Sequence, residues 1–430
     1  MVELLVLVRH GAAEVCPEDS GDVSRGLTMA GRRSLKAMMP HVRSLIDADG
    51  DVVIWSSPAV SARQTATIVA HMLGIKPVEI RQSLYSQDVG AFFHELSSAE
   101  ARVVVAVGHN PFVEQAARCL DGNAPRFDEG AAAAFWLTGR RVAVQSGLVW
   151  FVQGPSTAPW EALGRVERSL FSMARHVETC LRTFLDDPDD PETLHRYRVA
   201  IRTMRSLLAF IRPYQRSRQA HLLADDLHEL MRPTSRLREL DILCEQVEAL
   251  EVERSVTEPT LLSYCQELRA VERRRALKML RSKETRQDVR RIVRESENVR
   301  WKRARRHTGL PPEHLRARLD GMRMHLVGVE DALDLSDAVA THALRKDVKG
   351  VRYVASELGD LLGVDLDDVS SEMARAQDRL GELCDARANR AIIATIDVAG
   401  LSTEAALELG LLDARQATAI DSILDAGSTT

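Results

Sequence analysis

The stretch "LLVLVRHGAAE" (residues 4–14) runs an apolar segment straight into Arg9, His10 and Gly11. A second apolar run ends in "WSSPAVSARQTA" (55–66), with Ser57 ahead of a helix that starts near Arg63. A third ends in "VVVAVGHNP" (103–111) and delivers His109. If the three runs are parallel strands, their C-terminal ends share one edge, which is where α/β ligand sites collect. The helix start beside Arg63 adds backbone N–H groups that favour anions. Two imidazoles and two guanidiniums then converge, a set suited to phosphoryl transfer. His10 is the candidate nucleophile, needing a free, neutral ring nitrogen. Arg9, Arg63 and His109 would hold the non-bridging oxygens and stabilise the charge of the transition state. Gly11 lets the chain turn close to the phosphate. Ser57 reads either as support for the phosphate pocket or as a helix-cap hydroxyl. A lone histidine ending an apolar strand is most often structural, and it is the three motifs in order that favour the chemical reading.

A second constellation lies further on. "HRYRVAIRTMR" (195–205) contains His195, Arg198, Arg202 and Arg205 in the spacing H-x2-R-x3-R-x2-R. His342, Arg345, Lys349 and Arg352 repeat it with one Lys for Arg, an internal duplication signal. On a helix the first four residues fall within ~80° of arc, and the second four, with Lys346 and Tyr353, within ~120°. Opposite them lie Ile201, Met204, Leu207 and Leu208 in one helix and Leu344, Val348, Val351 and Val354 in the other, which are the expected core faces. Like charges at these spacings repel by a few tenths of a kcal/mol per pair. A single such face is usually just solvated, but two matching ones with few acids nearby imply a groove for a polyanion, in which arginine supplies forked donors to phosphate.

These residues need elements to carry them. In residues 1–153, short β-branched runs alternate with amphipathic stretches such as "AGRRSLKAMMPHVRSLI". That pattern predicts an α/β three-layer sandwich with a mostly parallel sheet. "GPSTAPWEALG" (154–164) reads as a linker. From 165 to 425 the pattern is helical throughout and predicts an all-α region, with a frayed tail in the last ten or so residues.

At 430 residues two or more domains are expected. With 45% hydrophobic and 28% charged residues the chain reads as globular, and neither region is net basic, so any anion site must be a local concentration of cations. Six scattered cysteines without a CxxC suggest neither a zinc site nor a disulfide framework, and fit a reducing cytoplasm. No apolar run reaches membrane length, so no membrane association is expected. No metal or cofactor is called for.

The second constellation resembles the conserved histidine α-helical (CHAD) family, through "LHRYRVAIRTMRSLLAFI", "RLRELDIL", "HALRKDVKGVRYVASEL" and "AQDRLGELCDARA" in order. The resemblance implies duplicated helical bundles about a pseudo-two-fold, with a basic channel that binds inorganic polyphosphate. By position the channel residues are His195, Arg198, Arg202, Arg205, His342, Arg345, Lys346, Lys349, Arg352 and Tyr353. Arg236 and Arg238 are further candidates. Asp241 and Asp385 are candidates for orienting the arginines, or else helix-end charges.

The first constellation is similar to the histidine phosphatase superfamily, in particular its small phosphohistidine phosphatase (SixA-like) branch. By position His10 is then the nucleophile, Arg9, Arg63 and His109 form the phosphate pocket, and "RGLTMAG" (25–31) is the loop after the first strand. The proton-donating carboxylate of larger members has no clear counterpart, Asp88 and Glu14 being the nearest candidates. A P–N bond needs no strong acid, which favours phosphoramidates or good anhydride leaving groups over simple esters.

The leading expectation is a metal-independent phosphohistidine-type phosphatase tethered to a polyphosphate-binding module, located in the cytoplasm at polyphosphate granules, with phosphohistidine proteins as further partners. The alternative is a polyphosphate-binding protein with little or no catalysis. Nucleic acid is disfavoured as a partner: aromatic residues are 4% of the chain, and only Tyr197, Tyr353 and Phe210 lie near the stripes.

Overall fold

A computed structural model describes residues 2–15, 22–46, 51–137, 146–250 and 260–428. In chain order the elements are β1 (Leu4–Arg9), α1 (Met29–Ser44), β2 (Val52–Ser56), α2 (Val60–Leu73), β3 (Val78–Ile80), α3 (Ser83–Ser86), α4 (Val89–Ser97), β4 (Val103–Gly108), α5 (Phe112–Leu120), β5 (Ala132–Leu137) and β6 (Ser146–Val152). Helices follow: α6 (Ala158–Asp186), α7 (Pro191–Ile211), α8 (Ser217–Met231), α9 (Ser235–Glu248), α10 (Leu261–Leu280), α11 (Lys283–Glu297), α12 (Arg303–Thr308), α13 (Pro312–Asp331), α14 (Ala338–Leu362), α15 (Leu366–Ile393) and α16 (Thr403–Ser428). No described helix is long and apolar enough to cross a membrane.

The strands form one sheet in the order β3-β2-β4-β1-β5-β6. β1 to β4 are mutually parallel, and β5 runs antiparallel to both β1 and β6. Alternation along each strand builds two cores. Val6 and Val8 of β1, with Val103, Val105 and Val107 of β4, face α1 and α2. Leu5, Leu7, Val104 and Ala106 face α4 and α5 on the other side. Helices on both faces of a mostly parallel sheet make the expected three layers, and each Val or Leu buried this way contributes ~1.5–3 kcal/mol.

The chain separates into two compact units, one of Met1–Gly164 with Ala304–Pro311, the other of Arg165–Arg303 with Pro312–Thr430. Two features differ from the sequence reading. The stretch read as a linker is helical from Ala158 onward. Residues 304–311 leave the helical region and pack with the first unit, where the Leu310 N–H donates to the Pro159 carbonyl at 2.8 Å.

In the second unit α7 and α14 pack against each other. Each is capped by an aspartate: Asp190 accepts from the Glu192 N–H, and Asp337 from those of Val339 and Ala340, all at 2.9 Å. Their core faces are those the sequence assigned, since Ile201, Met204, Leu207, Leu208, Leu344, Val348, Val351 and Val354 are all buried. The final segment, expected to fray, is helical through its described part. Helix α16 continues to Ser428, and Leu409 and Leu412 pack on a core shared with α9, α10 and α15.

Candidate functional site

Three strand ends meet at one edge of the sheet. Arg9 is in register with Gly108, the His10 N–H donates to the Gly108 carbonyl at 2.9 Å, and the Ser57 N–H donates to the Val107 carbonyl at 3.0 Å. His10, Ser57 and His109 therefore leave β1, β2 and β4 side by side. His10 is 5% and His109 9% exposed. The Tyr85 ring lies edge-on to His109 at 5.8 Å between centroids.

The His10 ring has one nitrogen committed. Its Nδ1 lies 2.8 Å from the Gly11 carbonyl oxygen, an acceptor, so Nδ1 carries the proton and Nε2 keeps its lone pair. Burial pushes the imidazole below the usual histidine range. Arg9 and Arg25 push the same way, against the Gly11 carbonyl and the Glu129 carboxylate. A neutral, singly committed imidazole is the state a nitrogen nucleophile needs.

Backbone packing explains the turn. The Gly11 N–H donates to Thr65 Oγ1 at 3.1 Å, and that hydroxyl donates to the Ser61 carbonyl at 2.8 Å, so α2 grips the turn after β1. Thr28 caps α1 and donates its backbone N–H to the Ala12 carbonyl at 3.0 Å. A Cβ on Gly31 would sit 2.3 Å from that carbonyl oxygen, so the "RGLTMAG" stretch needs glycine there for α1 to approach the turn. Arg9 Nη1 donates to the Phe127 carbonyl at 2.7 Å, the oxygen that Asn110 Nδ2 also reaches at 3.3 Å. Arg9 Nε is buried and makes no hydrogen bond among the described residues. Arg63 stands exposed in the first turn of α2, and its guanidinium has no partner among the described residues.

Other candidates behave differently. Ser57 Oγ accepts from the Ala59 N–H at 3.3 Å, a bond within the turn before α2, whose N-cap is Ala59 and carries no side-chain cap bond. Asp88 caps α4 by accepting from the Ala91 N–H at 2.9 Å and is exposed, as is Glu14. The carboxylate whose field reaches His10 is Glu129, which the sequence did not single out. It is set there because the Gly130 N–H donates to the His10 carbonyl at 2.8 Å. Arg25, within the "RGLTMAG" stretch, also acts on His10, favouring the neutral ring, a pairing that motif spacing does not reveal.

In the second unit, the α7 and α14 stripes carry half-buried cations. Arg198 Nη1 donates to Thr234 Oγ1 at 2.9 Å, and burial, reinforced by Arg202 and Arg238, pushes its pKa down to about 10. Burial also lowers Lys349, and the charges of Arg345 on its own helix and Arg202 on α7 add to the effect. His195 is lowered by burial and by Arg238. The Nε atoms of Arg198, Arg202 and Arg345 are buried without a hydrogen-bond partner among the described residues. Arg352 and Tyr353 are half-buried, while Arg205, His342 and Lys346 are exposed.

The two aspartates differ. Asp385 pairs with Arg345 at 2.8 Å, as an orienting residue would. Asp241 is instead buried against Arg269 of α10 at 2.5 Å, and among the described residues it forms no ion pair with a stripe arginine. Arg238 acts on the stripe, whereas Arg236 turns to Glu239 and Thr395. Tyr197 and Phe210 are fully buried, and the Tyr197 hydroxyl donates to the Leu230 carbonyl at 3.0 Å, so neither ring is open to stack on a base.

Residues 168–394, more than half of the chain, match the sequence model described as the CHAD domain. The chain belongs to the CHAD-domain family. In this CHAD protein residues 5–116 also match the histidine phosphatase superfamily (branch 1), so its N-terminal unit carries a phosphatase-type fold. Among solved structures, the CHAD domain of the plant Ricinus communis is 19% identical with a TM-score of 0.46, spanning 61% of this chain and 91% of that one. The protein histidine phosphatase SixA complexed with tungstate is 22% identical with a TM-score of 0.31, spanning 35% and 97%. PptA from Streptomyces chartreusis is 15% identical with a TM-score of 0.42, spanning 62% and 99%. No curated protein matches the chain.

Proposed function

We propose that the N-terminal unit is a histidine-nucleophile phosphatase acting on phosphoramidate or phosphoanhydride bonds, tethered to a module that binds inorganic polyphosphate. The observation that carries the catalytic half is the His10 ring: Nδ1 is held by the Gly11 carbonyl, Nε2 makes no hydrogen bond among the described residues, and burial favours the neutral ring. In the first step Nε2 bonds to phosphorus as the bond to the leaving group breaks, and the leaving nitrogen or oxygen takes a proton from solvent. Water then attacks phosphorus, the P–Nε2 bond breaks, and inorganic phosphate leaves as the water's proton is lost to solvent. Arg9, with Arg63 and His109, holds the non-bridging oxygens through both steps, and Gly11 and Ser57 shape the turn beneath them. No metal enters this scheme.

The binding half is supported by the buried, unpartnered Nε atoms of Arg198, Arg202 and Arg345, which face a cost unless an acceptor meets them. His195, Lys349, Arg352 and Tyr353 complete the half-buried part of the cradle, with Arg205, His342 and Lys346 at its exposed margin. A linear polyphosphate offers acceptors without requiring the aromatic platforms that nucleic acid uses. Tethering then raises the phosphatase concentration around the polymer, at polyphosphate granules in the cytoplasm. The same cradle favours a second reading, a polyphosphate-binding protein with little catalysis. Phosphate release from phosphoramidate and from polyphosphate, by wild type and His10→Ala, separates the two. Release by wild type that His10→Ala loses supports the enzyme; binding of polyphosphate with no turnover of either substrate supports the binder.

A further inference from the structure

We propose that the groove between α1 and α2 is a docking site for an acidic, amphipathic segment of a protein substrate. This rests on the phosphohistidine reading above and extends it to how the substrate protein is held. Both helices begin at the catalytic edge: Thr28, the cap of α1, sits on the Ala12 carbonyl, and Arg63 lies in the first turn of α2. From that edge the helices run side by side over the same sheet face.

Between them lies a cavity of about 630 Å³. Its rim carries Arg32 and Lys36 from α1, one turn apart, His71 from α2, and Lys76 just beyond. All four are exposed, and none of these side chains has a partner among the described residues. The lining contains no aspartate or glutamate. The floor is apolar, with Ile68, Met72 and Val78 packed on the sheet core.

The two properties together select the occupant. Bare cations would attract any polyanion, but an apolar floor adds binding energy only for a ligand that has apolar side chains of its own. Polyphosphate has none, and the lining contains no phenylalanine, tyrosine or tryptophan to stack on a base. A helical segment with carboxylates along one edge and leucine-type residues below would meet both rim and floor, the groove-docking mode of amphipathic helices. Complementary charge at the rim also speeds encounter and sets register. A segment seated there holds the rest of its protein beside the catalytic edge, raising the local concentration of its phosphohistidine.

The test uses the full chain and a fluorescein-labelled amphipathic peptide of Leu and Glu that carries one chemically phosphorylated histidine. In the Arg32→Glu/Lys36→Glu variant, peptide affinity and kcat/KM for the peptide are expected to fall about tenfold, with phosphoramidate hydrolysis unchanged. The same peptide with Lys in place of Glu is expected not to bind wild type. Unchanged peptide affinity in the double variant, alongside normal phosphoramidate hydrolysis, overturns the docking proposal and leaves the catalytic one standing. If wild type fails to hydrolyse phosphoramidate the catalytic reading falls, and peptide binding by anisotropy still decides the groove. A double variant that loses polyphosphate affinity but keeps peptide affinity would mark the rim as a polyphosphate surface and overturn the proposal.

Discussion

Asp385 holds the Arg345 guanidinium at 2.8 Å, whereas among the described residues no carboxylate pairs with Arg198, the matching residue of the first stripe, which is held by the hydroxyls of Thr234 and Ser235. The duplicated stripes are therefore electrostatically unequal. Arg345 arrives partly neutralised, and the α7 side presents the more demanding cations. Reversal of Arg202 to Glu is expected to weaken polyphosphate binding roughly 10–100-fold, and Asp385→Asn to strengthen it about threefold at low salt, both screened as salt rises. Calorimetric titration with polyphosphate checks both. Equal affinity in the Arg202 variant would remove the α7 stripe from the binding surface.

Binding should also move protons. Burial and neighbouring cations hold His195 and Lys349 below their usual ranges. A polyanion seated against them stabilises the charged forms and raises both pKa values, so the bound state carries more protons. Affinity then rises as pH falls through the window around and below 6.5, the ordinary histidine value, where His195 titrates. Titrations in buffers of differing ionisation enthalpy are expected to show net proton uptake, and zero uptake at pH values near 6 would contradict it.

The nucleophile has its own pH signature. Because burial lowers His10, its neutral form persists below pH 6.5, and the acidic limb of kcat/KM is expected below that value. Glu129 opposes this by favouring the imidazolium. Glu129→Gln removes that opposition and is expected to shift the acidic limb to still lower pH, with the plateau largely kept. A limb that stays in place, or moves upward, would show that Glu129 does not act on His10 as its position implies.

Gly31→Ala tests how α1 positions the catalytic turn. The new methyl would sit 2.3 Å from the Ala12 carbonyl oxygen, a backbone atom that cannot rotate away. Destabilisation of ~1–3 kcal/mol is expected, with loss of phosphatase activity and unchanged polyphosphate affinity. Thermal unfolding and the two assays measure this together.

Much of this was legible in the residues themselves. Strand alternation in "LLVLV" and "VVVAV" set the two sheet faces, and the opposite faces of α7 and α14 separated cations from core because helical period leaves little choice. What the sequence could not carry were contacts made across long separations. Asp241 follows the first stripe much as Asp385 follows the second, yet it pairs with Arg269, because the packing of α9 on α10 buries its carboxylate there. Glu129 reaches His10 only through the backbone bond from Gly130, which periodicity does not reveal. Residues 304–311 look like more of the helical region, but Leu310 is buried and its N–H is held by Pro159. Tyr197 sits among the stripe residues in sequence and in the core in space.

The central chemical claim is that His10 becomes phosphorylated. Rapid mixing with phosphoramidate, followed by peptide mass spectrometry under alkaline conditions that preserve phosphohistidine, reads this directly. The expected result is phosphate on the peptide containing His10 in wild type and none in His10→Ala, with turnover lost in that variant. Phosphate on a different residue, or undiminished turnover by His10→Ala, would contradict it.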